Sequence, residues 1–225
     1  MRLSIIMSVR NAGGFLEEAL ESVLTQLGPE DELLIRDDGS TDGSRERLEE
    51  ATSQDGRVGL ILGEARGLAA SLNILLVTAK GEFVARMDAD DVSLPGRFEG
   101  QIVELKDRQL DLLSSSRARM DKGGALLPSE PMMFSERDLE RGFNGFTHGS
   151  WMMTRRLVDV GLRYDEGMTS AQDYDFLLRT LEMGGRLGVS SSITYHQRVH
   201  DASVSESRKG EQDRQRILAL ARYWR

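Results

Sequence analysis

The sequence predicts an α/β protein with a Rossmann-like, mostly parallel central sheet that is flanked by helices, followed by a smaller, less regular region. Short apolar runs alternate with helix-period segments over the first hundred residues, as in consecutive βαβ units. Two acidic clusters, DDGSTDGS and RMDADD, directly follow such apolar runs. Ligands of open α/β sheets bind beyond the carboxyl ends of the strands, so both clusters are expected at a ligand-binding edge.

Hydrophobic periodicity, together with turn and capping residues, gives the predicted elements in chain order. The strands of the first part are LSIIMS, ELLIR, VGLIL and EFVARMD. The helices between them are FLEEALESVLTQLG, SRERLEEATSQ and GLAASLNILLVTAKG, and the last of these is apolar enough to be largely buried. LPGRFEGQIVELKDR then predicts a helix and DLLSSSRARM a strand. This part of the chain therefore builds one sheet with its acidic loops on one edge.

The second part of the chain has weaker structural signals. Residues 121–147 are rich in Gly, Pro, Met and mixed charge, which predicts an irregular insertion near the ligand-binding edge. GSWMMTRRLVDVG restores regular structure, and SAQDYDFLLRTLEMGG is predicted to be helical. The basic tail SRKGEQDRQRILALARYWR carries an apolar run, which predicts a helix packed on the domain or on a second subunit. A weak contact of this tail with an anionic membrane is the alternative.

Composition restricts the class of protein and the class of ligand. The 37 acidic and 29 basic side chains of the 225 residues give a net charge of −8, which argues against nucleic acid as a partner. An anionic ligand would therefore need a local cation or a metal. The absence of cysteine excludes disulfides, thiolate zinc sites and cysteine nucleophiles. No segment reaches the ~20 apolar residues of a membrane span, and the first apolar run is too short for a signal peptide, so we expect a cytoplasmic protein.

RMDADD places Asp88 and Asp90 in a D-x-D spacing, which can direct two carboxylates at one hard cation. Mg²⁺ or Mn²⁺ suits such oxygen ligands, because these ions keep coordination positions for the phosphates of a substrate. A solvated acidic turn before the helix near Leu94 explains the same residues without a metal. The motif alone is too short to decide between the two interpretations.

DDGSTDGS brings Asp37 and Asp38 to the same edge of the predicted sheet. These carboxylates could accept hydrogen bonds from a ribose hydroxyl or from the imide N–H of a uracil. Turn-forming residues of this kind also serve as plain connections between elements. The loops do not follow the glycine patterns of dinucleotide-binding or P-loop proteins, so no glycine-rich cradle for phosphate is predicted.

Asp173 lies where the helix in AQDYDFLLR begins. Its spacing favours a capping role, and a general base projecting into the cleft is the alternative. His148, His196 and His200 can each be structural or can ligate a divalent cation. The sequence pattern does not rank these histidines.

Five segments in this order resemble a family 2 glycosyltransferase with the GT-A fold, an inverting enzyme that uses a nucleotide-sugar. The segments are LSIIMSVRNAGGFLEEALESVLTQ, ELLIRDDGSTDGS, RGLAASLNILLVTAKGEFVARMDADDVSLPGRFEGQ, THGSWMMTRRLVDVGLRYDEGMTSAQDYDFLLR and YHQRVHDASVS. The resemblance implies a single GT-A domain over residues 1–225. Within it, residues 1–110 form the nucleotide-sugar-binding half, residues 111–205 the acceptor and catalytic-base half, and residues 206–225 a helical tail.

The resemblance also implies roles for individual residues. It identifies Asp173 as the general base and Asp90 and His200 as ligands of the metal, and Asp91 supports the loop. Other residues are implied to bind the nucleotide-sugar, and these are Ser8, Arg10, Asn11, Asp37, Asp38, Arg66, Asp88 and Ala89.

Three further residues, His148, Trp151 and Gln172, are expected near the acceptor. Two positions depart from the family pattern. Arg10 stands where many members have a tyrosine that can lie against the base, and its planar guanidinium could stack there or pair with phosphate. Gln172 replaces the acidic residue that often precedes the base, which leaves Asp173 as the clearer carboxylate. The departures bear on nucleobase preference, and the implied reaction type is unchanged.

The implied function is transfer of a sugar from a nucleoside-diphosphate donor, with UDP favoured, to a hydroxyl of a glycan or lipid-linked acceptor, as in bacterial polysaccharide synthesis. Mn²⁺ or Mg²⁺ would be the cofactor. The tail is compatible with a homodimer and with a peripheral position at the inner face of the membrane. Two other classes remain open. A sugar-nucleotide pyrophosphorylase needs a basic, glycine-rich phosphate loop, of which SVRNAGG is only a fragment. A non-catalytic, divalent-ion-dependent binding module does not need Asp173 in a cleft.

Overall fold

The computed structural model describes residues 2–128, 136–200 and 209–224. Its strands in chain order are β1 (Leu3–Val9), β2 (Glu32–Asp38), β3 (Val58–Gly63), β4 (Phe83–Asp88), β5 (Val92–Ser93), β6 (Leu112–Met120), β7 (Leu126–Leu127), β8 (Met152–Thr154) and β9 (Leu187–Arg198). The helices are α1 (Leu16–Leu24), α2 (Ser44–Gln54), α3 (Leu68–Thr78), α4 (Arg97–Asp107), α5 (Glu136–Glu140), α6 (Arg155–Asp159), α7 (Gln172–Glu182) and α8 (Lys209–Tyr223).

The strands form one sheet in the order β3-β2-β1-β4-β8-β6-β9-β5, and β7 pairs with β6. The first four strands in this order are parallel, with β1 between β2 and β4. Strand β8 runs antiparallel to both β4 and β6, and so joins the parallel half to the second half. Strand β9 is parallel to β6 and antiparallel to β5. The α/β class and the mostly parallel first half are as the sequence predicts.

The core consists of two apolar clusters on opposite faces of the sheet. Ile5 and Met7 of β1 belong to one cluster and Ile6 to the other, as alternate side chains of a strand must. Helices α1 and α4 cover the first face, and α3 and α7 cover the second. Each face of the central strands is therefore buried under helices, and the free space for a ligand lies beyond the strand ends.

Two features differ from the sequence prediction. Strand β2 continues through Asp37 and Asp38, so these carboxylates belong to a strand rather than to a loop, whereas β4 ends at Asp88 as predicted. Strand β9 is absent from the sequence prediction, which assigns no helix or strand to this segment. The prediction missed this strand because its middle, VSSSIT, is polar and has no alternating apolar pattern.

The tail forms helix α8, as predicted, and packs against α7. Ala219 is buried in the second apolar cluster, whereas Ile217, Leu218 and Trp224 are exposed. Within the residues that the structure describes, every helix is too short or too polar to cross a bilayer.

The turn between α3 and β4 has no space for a side chain at Gly81. A Cβ there would collide with the backbone of Leu3 and Ser4 in the adjacent β1. We expect Gly81→Ala to lower the free energy of unfolding by about 3 kcal/mol, the size of an overpacking penalty. Gly100→Ala is the control, since this exposed position in α4 has open space and alanine favours helix by about 1 kcal/mol. Urea denaturation measures both values, and equal stability of the two variants would contradict this packing.

Candidate active site

A pocket of about 580 Å³ opens beyond the carboxyl end of β4. Five residues predicted to belong to the site line this pocket, and they are Asp88, Asp90, His148, Gln172 and Asp173. The fold thus brings the D-x-D motif next to a carboxylate that lies 83 residues beyond Asp90 in the sequence. The chemistry of the pocket depends on how each of these groups is held.

Asp88, the last residue of β4, pairs with the buried guanidinium of Arg86. The Nη1 atom of Arg86 lies 2.9 Å from Oδ2 of Asp88, and its Nη2 donates to the other carboxylate oxygen. The two residues are separated by two positions on one strand, so their side chains share a face of the sheet. Arg86 is only 2% exposed, and its Nε has no hydrogen-bond partner among the described residues. The buried arginine therefore fixes the position of the first D-x-D carboxylate.

Asp90 faces His200, with Oδ2 of the carboxylate 2.8 Å from Nε2 of the imidazole. Burial raises the pKa of Asp90, the charge of Asp88 raises it further, and the hydrogen bond with His200 opposes both effects. The imidazole ring lies against Phe15, with ring centroids 5.1 Å apart. The structure therefore places the second D-x-D carboxylate and the predicted histidine side by side.

Asp91 supports this loop from inside the protein. Its buried carboxylate accepts the backbone N–H of Arg198 at 2.8 Å and a hydrogen bond from the hydroxyl of Tyr195. Burial, followed by the charges of Asp90 and Asp88, raises its pKa well above the ordinary range. Arg198 also donates from Nε to the backbone oxygen of Asp90 at 2.8 Å. Strand β9 thereby holds the D-x-D loop through backbone and side-chain contacts.

Asp173 is the second residue of α7 and does not cap it. The helix begins after Ala171, which occupies the left-handed region with φ 54° and makes no side-chain capping bond. The capping interpretation favoured by spacing is therefore wrong, because the capping position falls two residues earlier. Asp173 accepts a hydrogen bond of 2.8 Å from Nδ2 of Asn144. The other end of that amide is fixed, since its Oδ1 accepts the backbone N–H of Phe146 at 3.0 Å.

The environment of Asp173 makes its carboxylate a stronger base than an exposed one. Burial raises the pKa of Asp173, while the N–H of Tyr174, the charge of Arg86 and the amide of Asn144 partly offset this effect. A base whose pKa approaches the working pH is suited to proton abstraction.

The three residues predicted near the acceptor have different positions. His148 and Gln172 line the pocket. Nε2 of His148 lies 2.8 Å from the hydroxyl of Tyr164, and burial together with the charge of Arg86 holds the pKa of His148 well below its usual value. Trp151 is 0% exposed and packs on Phe176 in the core, so an acceptor contact for this residue is wrong. The sequence did not reveal that Trp151 immediately precedes a central strand and faces inward.

Asp37 and Asp38 are buried in β2 and do not line the pocket. Asp37 accepts from Arg45 at 2.9 Å and from the backbone of Ser40. Asp38 accepts the backbone N–H groups of residues 66 and 67, both at 2.9 Å. The two carboxylates therefore shape the loops after β2 and β3. The side chain of Arg66 is exposed and lies 3.5 Å from Glu166.

The remaining nucleotide-binding candidates lie at the ends of β1 and β4. Ser8 pairs in register with Asp88 on β4. Asn11 joins two loops, because its Oδ1 accepts the backbone N–H of Thr41 at 2.8 Å. Arg10 is exposed, and Ala89 is buried in the core. Of this set, the structure brings only Asp88 into the pocket.

Sequence reasoning missed several residues that organise the site, namely Arg86, Asn144, Tyr195 and Arg198. Arg86 carries the clearest signal, since a charged residue in the otherwise apolar run EFVARMD needs a buried partner, and Asp88 is its neighbour on the same face. Asn144 and Arg198 act over long sequence distances, and no local pattern identifies them.

Asp90, on the wall of the pocket, and His200 beside it form a donor set that fits a hard divalent cation. Among residues 2–128, 136–200 and 209–224, no three histidine, cysteine or carboxylate side chains converge as a complete metal site. Asp90 and His200 offer one carboxylate and one imidazole side by side. Mg²⁺ and Mn²⁺ bind through few protein ligands when substrate phosphates supply the others, so two protein ligands are compatible with such an ion.

Comparison with protein families identifies the chain. The model named Glycosyl transferase family 2 matches residues 4–160, which is more than half of the sequence. The chain belongs to this family. This glycosyltransferase carries Asp88 and Asp90 inside the matched region, whereas Asp173 and His200 lie beyond it.

Similar proteins support the same assignment. The succinoglycan biosynthesis protein ExoU of Rhizobium meliloti (strain 1021) is 30% identical over 226 residues, covering 91% of this chain and 64% of ExoU. Residues 1–349 of S. aureus TarS, in complex with UDP-GlcNAc, superpose with a TM-score of 0.76 at 19% identity, covering 100% of this chain and 72% of that one.

A second solved structure is the mannosyltransferase PcManGT of Pyrobaculum calidifontis, in complex with GDP-Man and Mn²⁺. It gives a TM-score of 0.73 at 20% identity and covers 97% of this chain and 62% of its own. These likenesses confirm the GT-A fold. The glycosyltransferase described here spans less than two thirds of ExoU and of PcManGT.

The contact between Asn144 and Asp173 can be tested directly. Because the amide N–H stabilises the ionised carboxylate, Asn144→Ala should raise the pKa of Asp173 above its already elevated value. A ¹³C NMR titration of labelled aspartate carboxyls measures the shift, with Asp173→Asn assigning the signal. Gln54→Ala, which removes an exposed amide on α2, is the control. An unchanged or lower pKa in Asn144→Ala would contradict the contact.

Proposed function

We propose that this enzyme is an inverting glycosyltransferase that moves a sugar from a nucleoside-diphosphate donor to a hydroxyl of a glycan or lipid-linked acceptor. The observation that carries the proposal is the convergence of the D-x-D carboxylates and Asp173 in one pocket. Membership of the glycosyltransferase family argues against the alternative of a sugar-nucleotide pyrophosphorylase. The proposed domain is the whole of residues 1–225, with the two halves and the tail divided as the sequence indicates.

Asp173 is the proposed general base. It takes the proton of the acceptor hydroxyl while the hydroxyl oxygen forms a bond to the anomeric carbon of the donor sugar. The bond from that carbon to the diphosphate breaks on the opposite side, so the configuration inverts and a nucleoside diphosphate leaves. Asn144 keeps one carboxylate oxygen of Asp173 occupied, and the other oxygen is the proposed proton acceptor. A positioned base of this kind contributes about 10²- to 10⁴-fold to the rate.

Asp90 and His200 are the proposed ligands of a divalent cation. When bound there, Mn²⁺ or Mg²⁺ would neutralise the charge that develops on the leaving diphosphate. The protein contributes the geometry. Arg198 and Asp91 hold the backbone of the loop, and Arg86 keeps Asp88 in place beside it. Asp88 is left to accept hydrogen bonds from the donor, for example from its ribose.

The nucleoside is proposed to lie over the ends of β1 and β2. Asp37 and Asp38 shape the loops there and Asn11 links them, and we propose that Ser8, Arg10 and Arg66 line the path toward the D-x-D motif. Ala89 is buried in the core, so the predicted donor contact of this side chain is not proposed again. We infer a UDP-sugar donor. TarS, which is solved with UDP-GlcNAc, supports this inference, and PcManGT, which is solved with GDP-Man, makes a guanosine donor the alternative. A donor screen that measures the released nucleoside diphosphate identifies it.

The acceptor class follows from the relatives and the pocket. ExoU is a succinoglycan biosynthesis protein, which supports a saccharide acceptor in polysaccharide synthesis. His148 and Gln172 lie in the pocket beside Asp173, where an acceptor hydroxyl must arrive. The exposed apolar residues of α8 suit a partner subunit or a membrane surface that carries a lipid-linked acceptor. A cytoplasmic enzyme with peripheral contact at the inner face of the membrane would combine these features.

Replacing the proposed base should abolish transfer without abolishing donor binding. We expect Asp173→Asn to lower kcat about 10²- to 10⁴-fold, because the amide cannot accept the proton. The Kd for the nucleoside diphosphate should stay within about twofold, since Asp173 faces the acceptor and is not a donor contact. Glu182→Gln is the matched control, an exposed carboxylate at the other end of α7. Transfer at the control's rate in Asp173→Asn would remove the base assignment.

Metal binding can be measured apart from turnover. Mn²⁺ titration followed by electron paramagnetic resonance should give a site that weakens about tenfold or more in Asp90→Asn and in His200→Ala, since each loses one ligand. Asp107→Asn, an exposed carboxylate at the end of α4, should bind Mn²⁺ as the native protein does. Chelation by EDTA should also stop transfer. Equal Mn²⁺ affinity in all three variants would refute the ligand assignment.

A further inference from the structure

Besides Arg198, which holds the D-x-D loop, three arginines of the second half of the chain line the pocket. Arg117 and Arg119 come from β6, and Arg216 comes from α8. Arg117 and Arg119 are two residues apart, so they project from the same face of the strand. The protein as a whole carries a net charge of −8, whereas the five arginines that line this pocket outnumber its four aspartates.

Arg117 is held in a position that favours an anion. Its side chain is partly buried, and Nη1 donates to the hydroxyl of Thr147 at 2.9 Å. Within the described part of the chain, it forms no salt bridge with a carboxylate. Burial, together with the like charge of Arg119, lowers the pKa of Arg117. An anion placed between the two arginines would offset both the desolvation of the Arg117 charge and its repulsion by Arg119.

Arg216 adds a third cation at the rim. Its Nη2 lies 2.8 Å from Asp213 of the same helix, in an exposed pair of the kind that contributes little to stability. The guanidinium can therefore change partner at low cost. Each of these guanidinium groups is a planar fork of donors that can bind a phosphate or carboxylate in a bidentate way.

The sheet order separates these arginines from the nucleoside side. Strands β1 and β2 lie on one side of β4, whereas β6 lies on the other side, beyond β8. A donor whose nucleoside sits over β1 and β2 reaches the end of β4 with its diphosphate, at Asp88 and Asp90. The arginines of β6 and α8 lie past that point, on the half of the pocket that the acceptor must fill.

We propose that Arg117, Arg119 and Arg216 form an anion subsite that binds a phosphate or carboxylate group of the acceptor. The assignment rests on the proposed glycosyl transfer and names its acceptor class as an anionic saccharide or a saccharide linked to phosphate. The subsite is separate from the donor diphosphate. Binding of the anion would hold the acceptor while its hydroxyl meets Asp173.

The test is binding of small anions to enzyme already saturated with UDP and Mg²⁺. Calorimetric titration uses methyl phosphate and acetate as the two probes, and methanol as the neutral control. We expect at least one anion to bind, and the affinity to fall about tenfold or more in Arg117→Gln/Arg119→Gln, because charge-assisted hydrogen bonds are lost. The stronger of the two probes identifies phosphate or carboxylate as the natural group.

Two further variants keep the test decisive. Arg117→Lys/Arg119→Lys preserves the charge without the planar guanidinium, so it should bind the anions less tightly than the native protein and more tightly than the glutamine variant, even if the glutamine variant is poorly folded. Arg214→Gln removes an exposed charge of α8 outside the pocket and should bind as the native protein does. Thermal melting checks the fold of each variant.

Several results would overturn the proposal. If the anions bind the UDP-free enzyme but no longer bind once UDP and Mg²⁺ are present, the arginines belong to the donor diphosphate. If the glutamine variant binds as well as the native protein, or if methanol binds as well as the anions, there is no anion subsite. Failure of the proposed transferase reaction is a separate outcome, because it would leave anion binding by the arginines intact while no donor is consumed.

Discussion

The pairing of buried Arg86 with Asp88 is the interaction on which the pocket depends. Three aspartates within four residues repel one another, and the end of a central strand gives them little solvent. Arg86 comes from the same strand and neutralises one of them at its base. The other two carboxylates are less favourable in their charged form, because burial and neighbouring charge raise the pKa of both Asp90 and Asp91. A cation and a diphosphate suit a site built with this unbalanced charge.

Strand β9 carries the second set of constraints. Tyr195 and Arg198 hold Asp91, and Arg198 also reaches Glu18 of α1 and the backbone oxygens of residues 121 and 122. Two residues later, His200 meets Asp90. The position of the proposed metal ligands is therefore set by contacts between segments that are about 100 residues apart in the sequence. The pocket forms only when the two halves of the sheet are joined through β8.

The sequence predicted the elements of the first half because each has a clear hydrophobic period and a turn or capping signal at its ends. The order of the motifs also predicted that Asp88, Asp90 and Asp173 would share a pocket. Strand β9 escaped prediction, since its polar groups are satisfied by distant partners such as Ser116, whose hydroxyl donates to the backbone of Ser190 at 2.7 Å. Trp151 was predicted to lie near the acceptor but is buried in the core. An aromatic residue beside a motif can face either the ligand or the core, and the sequence does not distinguish the two. Arg198 could not be found from local pattern, because its partners are brought together by folding alone.

The unequal burial of the two sides of the pocket has an evolutionary consequence. The carboxylates that shape the nucleoside loops, Asp37 and Asp38, are almost fully enclosed and tied to several backbone groups, so replacing either disturbs the parallel half of the sheet. Arg117 and Arg216 are only partly enclosed and make few contacts. Point mutations can therefore change what the second half recognises at small cost in folding, while a new nucleotide preference requires several compensating changes. Lineages descending from such a chain would diversify faster in acceptor than in donor.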